Sequence, residues 1–346
     1  MSGKRQHYIP QLLQRGFKSQ SYGDEHFTWV FRQSSKPFEA NIKNVGVEGY
    51  FYSEGNNSEV DESITQLEMK IGRIVRNLQQ SDTPEPVSKD IAMVVAHLEA
   101  RTRHLRLSFM SAGQSLLNTL VELVSDEKSL VALVENQIVN EPTIIDNAIR
   151  ELGATTAQVP ILRELIRPQL GPFMKENATQ IAQNFRSEVL NLSPKRLLDS
   201  IKTGHLSGLR ESLVPAHKAI RYETLNYSII TSEQVSIPLG DSMLVFKVSG
   251  SRTYKPFLDK EDQLLAILLP LTPSRILVGS VNRSIYIDFL EIRREIARCS
   301  YEHFISSENT DDIQQLGLLI QENAHLLSKS EIEKIVSSLI TSSSSI

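Results

Sequence analysis

The chain of 346 residues has a single cysteine, Cys299. One cysteine excludes an intrachain disulfide and any zinc site built from several thiolates. The longest apolar run, residues 264–271, is short and contains Pro270, whereas a membrane-spanning helix needs about 20 apolar residues. Residues 1–20 also lack the apolar core of a secretory signal peptide, so we expect a cytoplasmic protein in a reducing compartment.

Positive charge is not in excess, because 37 Lys and Arg residues stand against 41 Asp and Glu residues and the net charge is -4. This balance argues against a general nucleic-acid-binding or membrane-binding protein, although a local basic patch is compatible with it. The sequence also has no G-x-x-x-x-G-K-[ST] loop, no G-x-G-x-x-G loop and no G-x-S-x-G elbow. Nucleotide-driven motors, dinucleotide oxidoreductases and ordinary serine hydrolases are therefore disfavoured.

Hydrophobic spacing predicts an α+β fold, with a small N-terminal β element, a central helical bundle and a C-terminal β-meander followed by helices. The long helix of the bundle is predicted to run from Ser88 to about Val124 without interruption. Strands are expected at 27–32, 227–231, 243–248, 263–269 and 275–281. Helices are expected at 282–305 and, as two short helices, within 309–340.

We expect residues 1–308 to form one α+β domain, with a helical block over about 59–204 and a β-rich part over about 225–281. Residues 309–341 would add C-terminal helices. Residues 342–346, which include four consecutive serines, are predicted to be a disordered tail. The sequence leaves open whether the two β-rich segments share one sheet.

The most distinctive segment is His7-Tyr8-Ile9-Pro10, followed by Arg15-Gly16-Phe17. Chain termini are usually frayed, so these polar and aromatic groups indicate a segment that packs into the domain. His7 can act as a general acid or base, and Tyr8 and Arg15 can bind an anionic group. The alternative is that His7 and Tyr8 are amphipathic anchors that fix the terminus on the helices.

This segment and four later elements resemble the bacterial domain-of-unknown-function 4238 family (DUF4238) over about residues 4–305. The later elements are Asn44–Glu48 with Phe51, Tyr52 and Glu68, the pair Arg101-Thr102 in a long helix, Thr231–Val235, and the turn Pro270–Pro273. The fourth element departs from the family pattern, because Glu233 replaces an aspartate and the Asn-Pro is missing. The resemblance supplies candidate site residues and no activity.

We predict a catalytic set of His7, Glu68 and Arg101, in which Arg101 would bind phosphate. Glu68 lies at the border of an apolar helix face, where it could orient His7 or form a structural salt bridge with Arg101. The residues expected to bind substrate are Tyr8, Arg15, Tyr52 and Glu233. A metal site would need several of Glu68, Glu233, His7 and Asp241 to converge, and no spacing resembles a metal signature, so we expect no metal and no cofactor.

Arg101 begins the densest basic cluster, residues 101–106. On one continuous helix Arg101 and His104 would share a face, and Glu99 would pair with Arg103. The alternative for this cluster is a solvated charged face with one or two salt bridges.

A second pattern, Arg298-x4-His303 on a predicted helix, resembles the catalytic motif of helical ribonucleases of the HEPN type. The pattern fixes only two positions, and the main bundle lies in the middle of the chain and not at its C-terminal end, so we give it little weight.

Two functions are compatible with these features. The first is a metal-independent hydrolase that acts on a phosphodiester or nucleotide, with a nucleic acid or nucleotide as its partner and a role in phage defence. The second is a non-enzymatic binding or interaction module, in which the His-Tyr motif anchors the terminus and the surface binds a protein, a second copy or a ligand. We expect no membrane partner.

Overall fold

The computed structural model describes residues 5–52, 59–81, 87–126, 128, 130–131, 142–191, 194–283 and 285–325, and every structural statement below concerns these residues. The predicted tail at 342–346 lies outside them. The predicted C-terminal helices lie outside them beyond residue 325, as does part of the helical block predicted at about 59–204.

The N-terminal part is rich in short strands. These are β1 (Arg5–His7), β2 (Gln20–Tyr22), β3 (Glu25–Arg32), β4 (Phe38–Asn41) and β5 (Val47–Gly49), with the single-turn helix α1 (Gln11–Gln14) after β1. Helical turns of the 3-10 type follow at Arg15–Phe17 and Ile42–Asn44. Strand β1 pairs antiparallel with β5, and β3 pairs with both β2 and β4.

The middle of the chain is helical. Its helices are α2 (Glu59–Gln80), α3 (Ser88–Ala100), α4 (Arg103–Ser125), α5 (Pro142–Glu151), α6 (Val159–Asn191), α7 (Pro194–Glu211) and α8 (Ala216–Glu223). Pro194 stands at the first position of α7, where a missing N–H costs no helical hydrogen bond. None of the helices in the described ranges is long and apolar enough to cross a membrane.

The C-terminal part returns to strands. They are β6 (Asn226–Thr231), β7 (Leu239–Gly240), β8 (Val245–Val248), β9 (Tyr254–Lys255), β10 (Leu264–Thr272) and β11 (Arg275–Ser280), followed by α9 (Phe289–Cys299), β12 (His303–Ser306) and α10 (Asp311–Leu316). One sheet has the order β6-β11-β10-β8-β9, and a second has the order β2-β3-β12-β7. The fold is α+β, as predicted, and strands from both ends of the chain meet in the second sheet.

The prediction of helix over 282–305 is wrong at both ends, because α9 begins only at Phe289 and the described residues before it are not helical. Helix α9 ends at Cys299, and the hydroxyl of Ser300 donates to the carbonyl of Ile296 (2.8 Å) at this end. The next residues form β12, which is buried throughout and lies between β3 and β7. Pairing with two strands from distant parts of the chain decides this structure, and local spacing does not reveal such partners.

The chain divides into two compact units. The first comprises residues 1–109 and 201–326, and its main core packs α2, α3 and the N-terminal segment with the C-terminal strands. The second comprises the described residues between 110 and 200, and its core joins apolar residues of α4 and α6, including Leu120, Val124, Met174 and Ala178.

Candidate functional site

The His-Tyr motif begins at His7, the last residue of β1, and is held by the loop before β5. The amides of Tyr8 and Ile9 both donate to the carbonyl of Gly46, at 2.8 and 3.2 Å. Gly46 has φ +61°, and a Cβ there would come within 2.7 Å of the Cβ of Ile9. Only glycine meets both requirements at low cost, so Gly46 allows the two segments to approach.

Neighbouring side chains of the motif face opposite sides, as expected for a strand. Gln6 and Tyr8 are buried, whereas His7 is partly exposed. The side-chain oxygen of Gln6 accepts from the amide of Tyr52 (2.6 Å), and the ring of Tyr8 lies 5.6 Å from that of Phe51. The side chains of Gln6 and Tyr8 therefore bind the N-terminal segment to residues 51 and 52.

The helix predicted from Ser88 to Val124 is broken at Arg101-Thr102. Helix α3 ends at Ala100, and α4 begins at Arg103. The hydroxyl of Thr102 accepts from the amide of Leu105 (3.0 Å), which is the geometry of an N-cap. The prediction of one uninterrupted helix is therefore wrong, because a capped junction can interrupt a helix without disturbing the apolar spacing.

Arg101 occupies this junction and is the centre of a buried polar network. Its Nε donates to the hydroxyl of Tyr52 (3.2 Å), and one terminal nitrogen binds Glu68 and Nε2 of His97 (3.2 Å). The other terminal nitrogen donates to the backbone carbonyl of His7 (2.5 Å). The Arg101 side chain is 1% exposed. Each of its three guanidinium nitrogens makes at least one hydrogen bond to another residue of the chain.

The charges of this network favour one protonation pattern. Nδ1 of His97 lies 2.9 Å from the carbonyl of Leu213 and must donate to it, so Nε2 accepts from Arg101. Burial, with a further effect of the Arg101 charge, lowers the pKa of His97 to about 3. Burial also lowers the pKa of His7 below its usual value, against the opposing effects of a hydrogen bond to the backbone of Lys43 and, more weakly, of the Glu68 carboxylate. Both imidazoles are therefore neutral at pH 7.

The imidazole of His7 is engaged more loosely than its backbone. Its two ring nitrogens each lie 3.4 Å from the side-chain nitrogen of Gln11, a long separation for a hydrogen bond. The Glu68 side chain is 29% exposed and pairs with Arg101. The structural salt bridge expected as one alternative for Glu68 is present, and the carboxylate retains contact with solvent.

A second group of charges surrounds the ring of Tyr8. Arg103 pairs with Glu48 and Glu302, and its guanidinium carbon lies 5.8 Å from the centre of the Tyr8 ring. The predicted pairing of Glu99 with Arg103 is absent. Lys218 and the hydroxyl of Tyr222 bind the carboxylate of Glu99 instead. The break before α4 separates residues 99 and 103 onto different helices and accounts for this difference.

His104 is buried and belongs to a third group. Its Nε2 lies 2.8 Å from the carbonyl of Ala324, and its Nδ1 lies 3.7 Å from Asp241. The carboxylate of Asp241 accepts the amides of residues 301–303. Arg101 and His104 thus have different partners, contrary to the prediction of a shared face.

Arg15 and Glu233, two of the residues expected to bind substrate, lie apart from the Arg101 network. Both are exposed, and no hydrogen bond or ion pair among the described residues links either of them to the network. The adjacent Gly16 instead packs against the backbone of Leu271, whose carbonyl oxygen would lie 2.2 Å from an added Cβ. The segment Arg15–Phe17 and the turn Pro270–Pro273, two of the elements that carry the family resemblance, are therefore in contact through their backbones.

The pattern Arg298-x4-His303 does not lie on one helix. Arg298 is in the last turn of α9 and pairs with Glu295 and Glu322. His303 is buried in β12, and neither of its ring nitrogens has a hydrogen-bond partner in the described part of the chain. Within that part, no group of three His, Cys, Asp or Glu side chains is arranged to hold a metal ion.

Several residues of the network were not singled out from the sequence. Gln6 precedes the motif and could be inferred from strand alternation, and His97 lies one helical turn before Arg101. The guanidinium of Arg106 donates to the carbonyl of Phe51 (2.8 Å) and stacks on its ring (3.7 Å to the centroid). No sequence signal distinguished Arg106 from Arg103.

These features define an α+β protein whose N-terminal strand is joined to its helices by an arginine-centred polar network. The chain matches the family described as "Protein of unknown function (DUF4238)" over residues 5–332 and belongs to that family. Searches of curated proteins and of solved structures found no match.

Proposed function

We propose that this protein is a non-enzymatic binding module, in which the His-Tyr motif anchors the N-terminal strand on the helices. The observation that carries the proposal is the occupancy of Arg101. A guanidinium that clamps phosphate must present its N–H groups to the ligand. Those of Arg101 face Glu68, His97, Tyr52 and the carbonyl of His7 at a buried position.

The anchor acts through the backbone of His7 and the side chains of its two neighbours. The His7→Ala change therefore preserves the anchor, whereas Arg101→Met removes it. We expect His7→Ala to lower the free energy of unfolding by less than about 1 kcal/mol, as for a partly exposed side chain. The two variants would be compared by thermal melting and by turnover of bis-p-nitrophenyl phosphate, ATP and single-stranded RNA.

The proposal predicts no turnover of these substrates by the wild-type chain or either variant, and a large loss of melting temperature for Arg101→Met alone. Turnover by the wild-type chain that His7→Ala abolishes, with melting unchanged, would refute it. Denatured wild-type protein and the Gln11→Ala variant, which removes the nearest side-chain neighbour of the imidazole, serve as controls.

A second candidate function is the metal-independent hydrolase acting on a phosphodiester or nucleotide. The observation that favours it is the neutral, partly exposed imidazole of His7 beside the carboxylate of Glu68, because a neutral histidine can act as a general base. Arg101 would then position Glu68 and the strand without touching substrate.

A cytoplasmic location in bacteria is proposed for either candidate, whereas a role in phage defence belongs to the second one. That role would be tested by plating phage on cells that express the wild-type chain or His7→Ala. Equal plating on both strains, at equal protein levels, would argue against it.

A further inference from the structure

A half-enclosed cavity of about 310 Å³ lies within the first unit and is lined by none of His7, Glu68 and Arg101. It is bounded by the end of α3, the start of α4, helices α7 and α8, and the loop at 257–259. Its apolar lining includes Ala100, Leu105, Phe109, Leu209, Pro215, Phe257 and Leu258. Its volume and lining are those of sites that bind small organic molecules.

Two glycines of α7, Gly204 and Gly208, form one side of this cavity. They lie one helical turn apart on the same face, and a Cβ added to either would meet no heavy atom within 4 Å. Glycine inside a helix lowers its stability relative to alanine. The space beside α7 is therefore kept open at positions where a larger residue would fit.

One polar donor of the lining has capacity for a ligand. The Lys218 side chain is 24% exposed, and its ammonium binds the carboxylate of Glu99 and the carbonyl of Leu258 (3.3 Å), which uses two of its three N–H groups. Glu99 is buried, and both of its oxygens already accept hydrogen bonds, from Lys218 and the amide of Leu258 (3.1 Å) at one and from Tyr222 (2.6 Å) at the other.

The lining has three other polar side chains, His205, Ser212 and Asp259, and each has a partner within the chain. Asp259 is half exposed at the rim, and one of its carboxylate oxygens accepts from Lys255 (3.3 Å). His205 binds the carbonyl of Ala100 (3.0 Å) through Nε2 and accepts from Arg106 (3.2 Å) at Nδ1, and burial lowers its pKa to about 4. The hydroxyl of Ser212 donates to the carbonyl of Val214 (2.6 Å).

We propose that this cavity binds an uncharged, apolar small molecule with one hydrogen-bond-accepting oxygen, which accepts from Lys218 while the apolar part lies against Gly204 and Gly208. We expect an uncharged ligand because the carboxylate of Glu99 already neutralises the ammonium of Lys218. A carboxylate ligand would place a second negative charge beside Glu99, and burying that unpaired charge costs free energy. This inference deepens the proposed function and rests on it in one respect, since the ligand is bound and not converted.

The test uses 1-octanol and octanoate as probes, titrated calorimetrically into the full chain. We expect saturable binding of 1-octanol at one site and at least tenfold weaker binding of octanoate. Gly208→Leu and, independently, Gly204→Leu each place an isobutyl group in the cavity and should weaken 1-octanol at least tenfold. Gly171→Leu is the matched control, because Gly171 is an exposed helical glycine with the same free space outside the cavity.

The oxygen contact is tested by the double variant Lys218→Met/Glu99→Gln, which removes both charges together. Loss of one hydrogen bond should weaken 1-octanol about fivefold. Unchanged affinity for 1-octanol in this variant would overturn the role of Lys218.

The proposal is overturned if the wild-type chain binds neither probe at millimolar concentration, if octanoate binds more tightly, or if both glycine variants bind as the wild type does. A wild-type dimer by light scattering that Gly208→Leu converts to a monomer would assign the cavity to a second copy and would also overturn it. None of these outcomes changes the result expected for the Arg101→Met and His7→Ala variants. Failure of the cavity proposal can therefore be distinguished from failure of the proposed function.

Discussion

Arg101→Met tests the arginine-centred network directly, because it removes the guanidinium and keeps an apolar stem in the buried space. The carbonyl of His7 and Nε2 of His97 lose their donor, and each such loss costs about 2 kcal/mol. Glu68 loses a charge-assisted hydrogen bond but is partly exposed, so its return to water adds only about 1 kcal/mol. The sum, about 5 kcal/mol, lies at the upper end of the values for removing one partner of a buried ion pair, about 3–5 kcal/mol.

The loss would be measured as the free energy of unfolding in urea. The single tryptophan, Trp29, lies on β3 within the first unit, so its fluorescence reports on the unit that contains the network. Glu68→Gln is the matched control, because it keeps Arg101 and offers it a neutral acceptor. We expect that change to cost about 1 kcal/mol.

Arg101→Lys provides a second measurement if Arg101→Met does not fold. An ammonium has three donors and lacks the planar fork, so it cannot reach all the acceptors of the guanidinium, and we expect an intermediate loss. A loss below about 1 kcal/mol for Arg101→Met, or one equal to that of Glu68→Gln, would refute the reasoning.

Three further predictions concern single positions. The pKa of His97 is about 3 in the folded chain, whereas an ordinary histidine has a pKa of about 6.5, so the unfolded chain binds one more proton as pH falls from 6.5 towards 3. The free energy of unfolding should therefore fall by about 2 kcal/mol between pH 7 and pH 5 from this group, and the pH dependence of His97→Gln should be correspondingly flatter in the same urea assay. Gly46→Ala should cost about 2–4 kcal/mol from backbone strain and overpacking, whereas Gly23→Ala, with φ +56° and free space, should cost only about 1–2 kcal/mol in the same urea assay. Thr102→Ala removes the N-cap of α4 and should cost about 1 kcal/mol, and a value near zero would contradict the capped junction.

Local spacing was sufficient for the class of fold. Apolar residues at intervals of three and four predict α2, and runs of β-branched and aliphatic residues predict β10 and β11, because each of these elements buries one side or both against the core. Strand β12 could not be predicted in this way. Its four residues are buried because β3 and β7 flank them, and both partners are distant in sequence.

The grouping of His7, Glu68 and Arg101 was predicted from the family resemblance and not from spacing. The same resemblance suggested Arg15 and Glu233, which are exposed and have no hydrogen bond or ion pair to the network among the described residues. Short motifs identify positions but not whether the side chain or the backbone makes the contact. His7 illustrates the difference, since its carbonyl accepts from Arg101, whereas the contacts of its imidazole are with Gln11 and the backbone of Lys43 and not with Arg101.

The pairing of β3 with β12 also sets an order for folding during synthesis. Strand β3 ends at Arg32, and its partner begins at His303, with the contiguous part of the second unit, 110–200, between them in the chain. The sheet β2-β3-β12-β7 therefore cannot be completed until residue 306 has left the ribosome. The segment 110–200 emerges much earlier. During that interval the edge of β3 that β12 later covers has no strand partner from the C-terminal part, which makes it a natural site for chaperone binding or for mispairing between nascent chains.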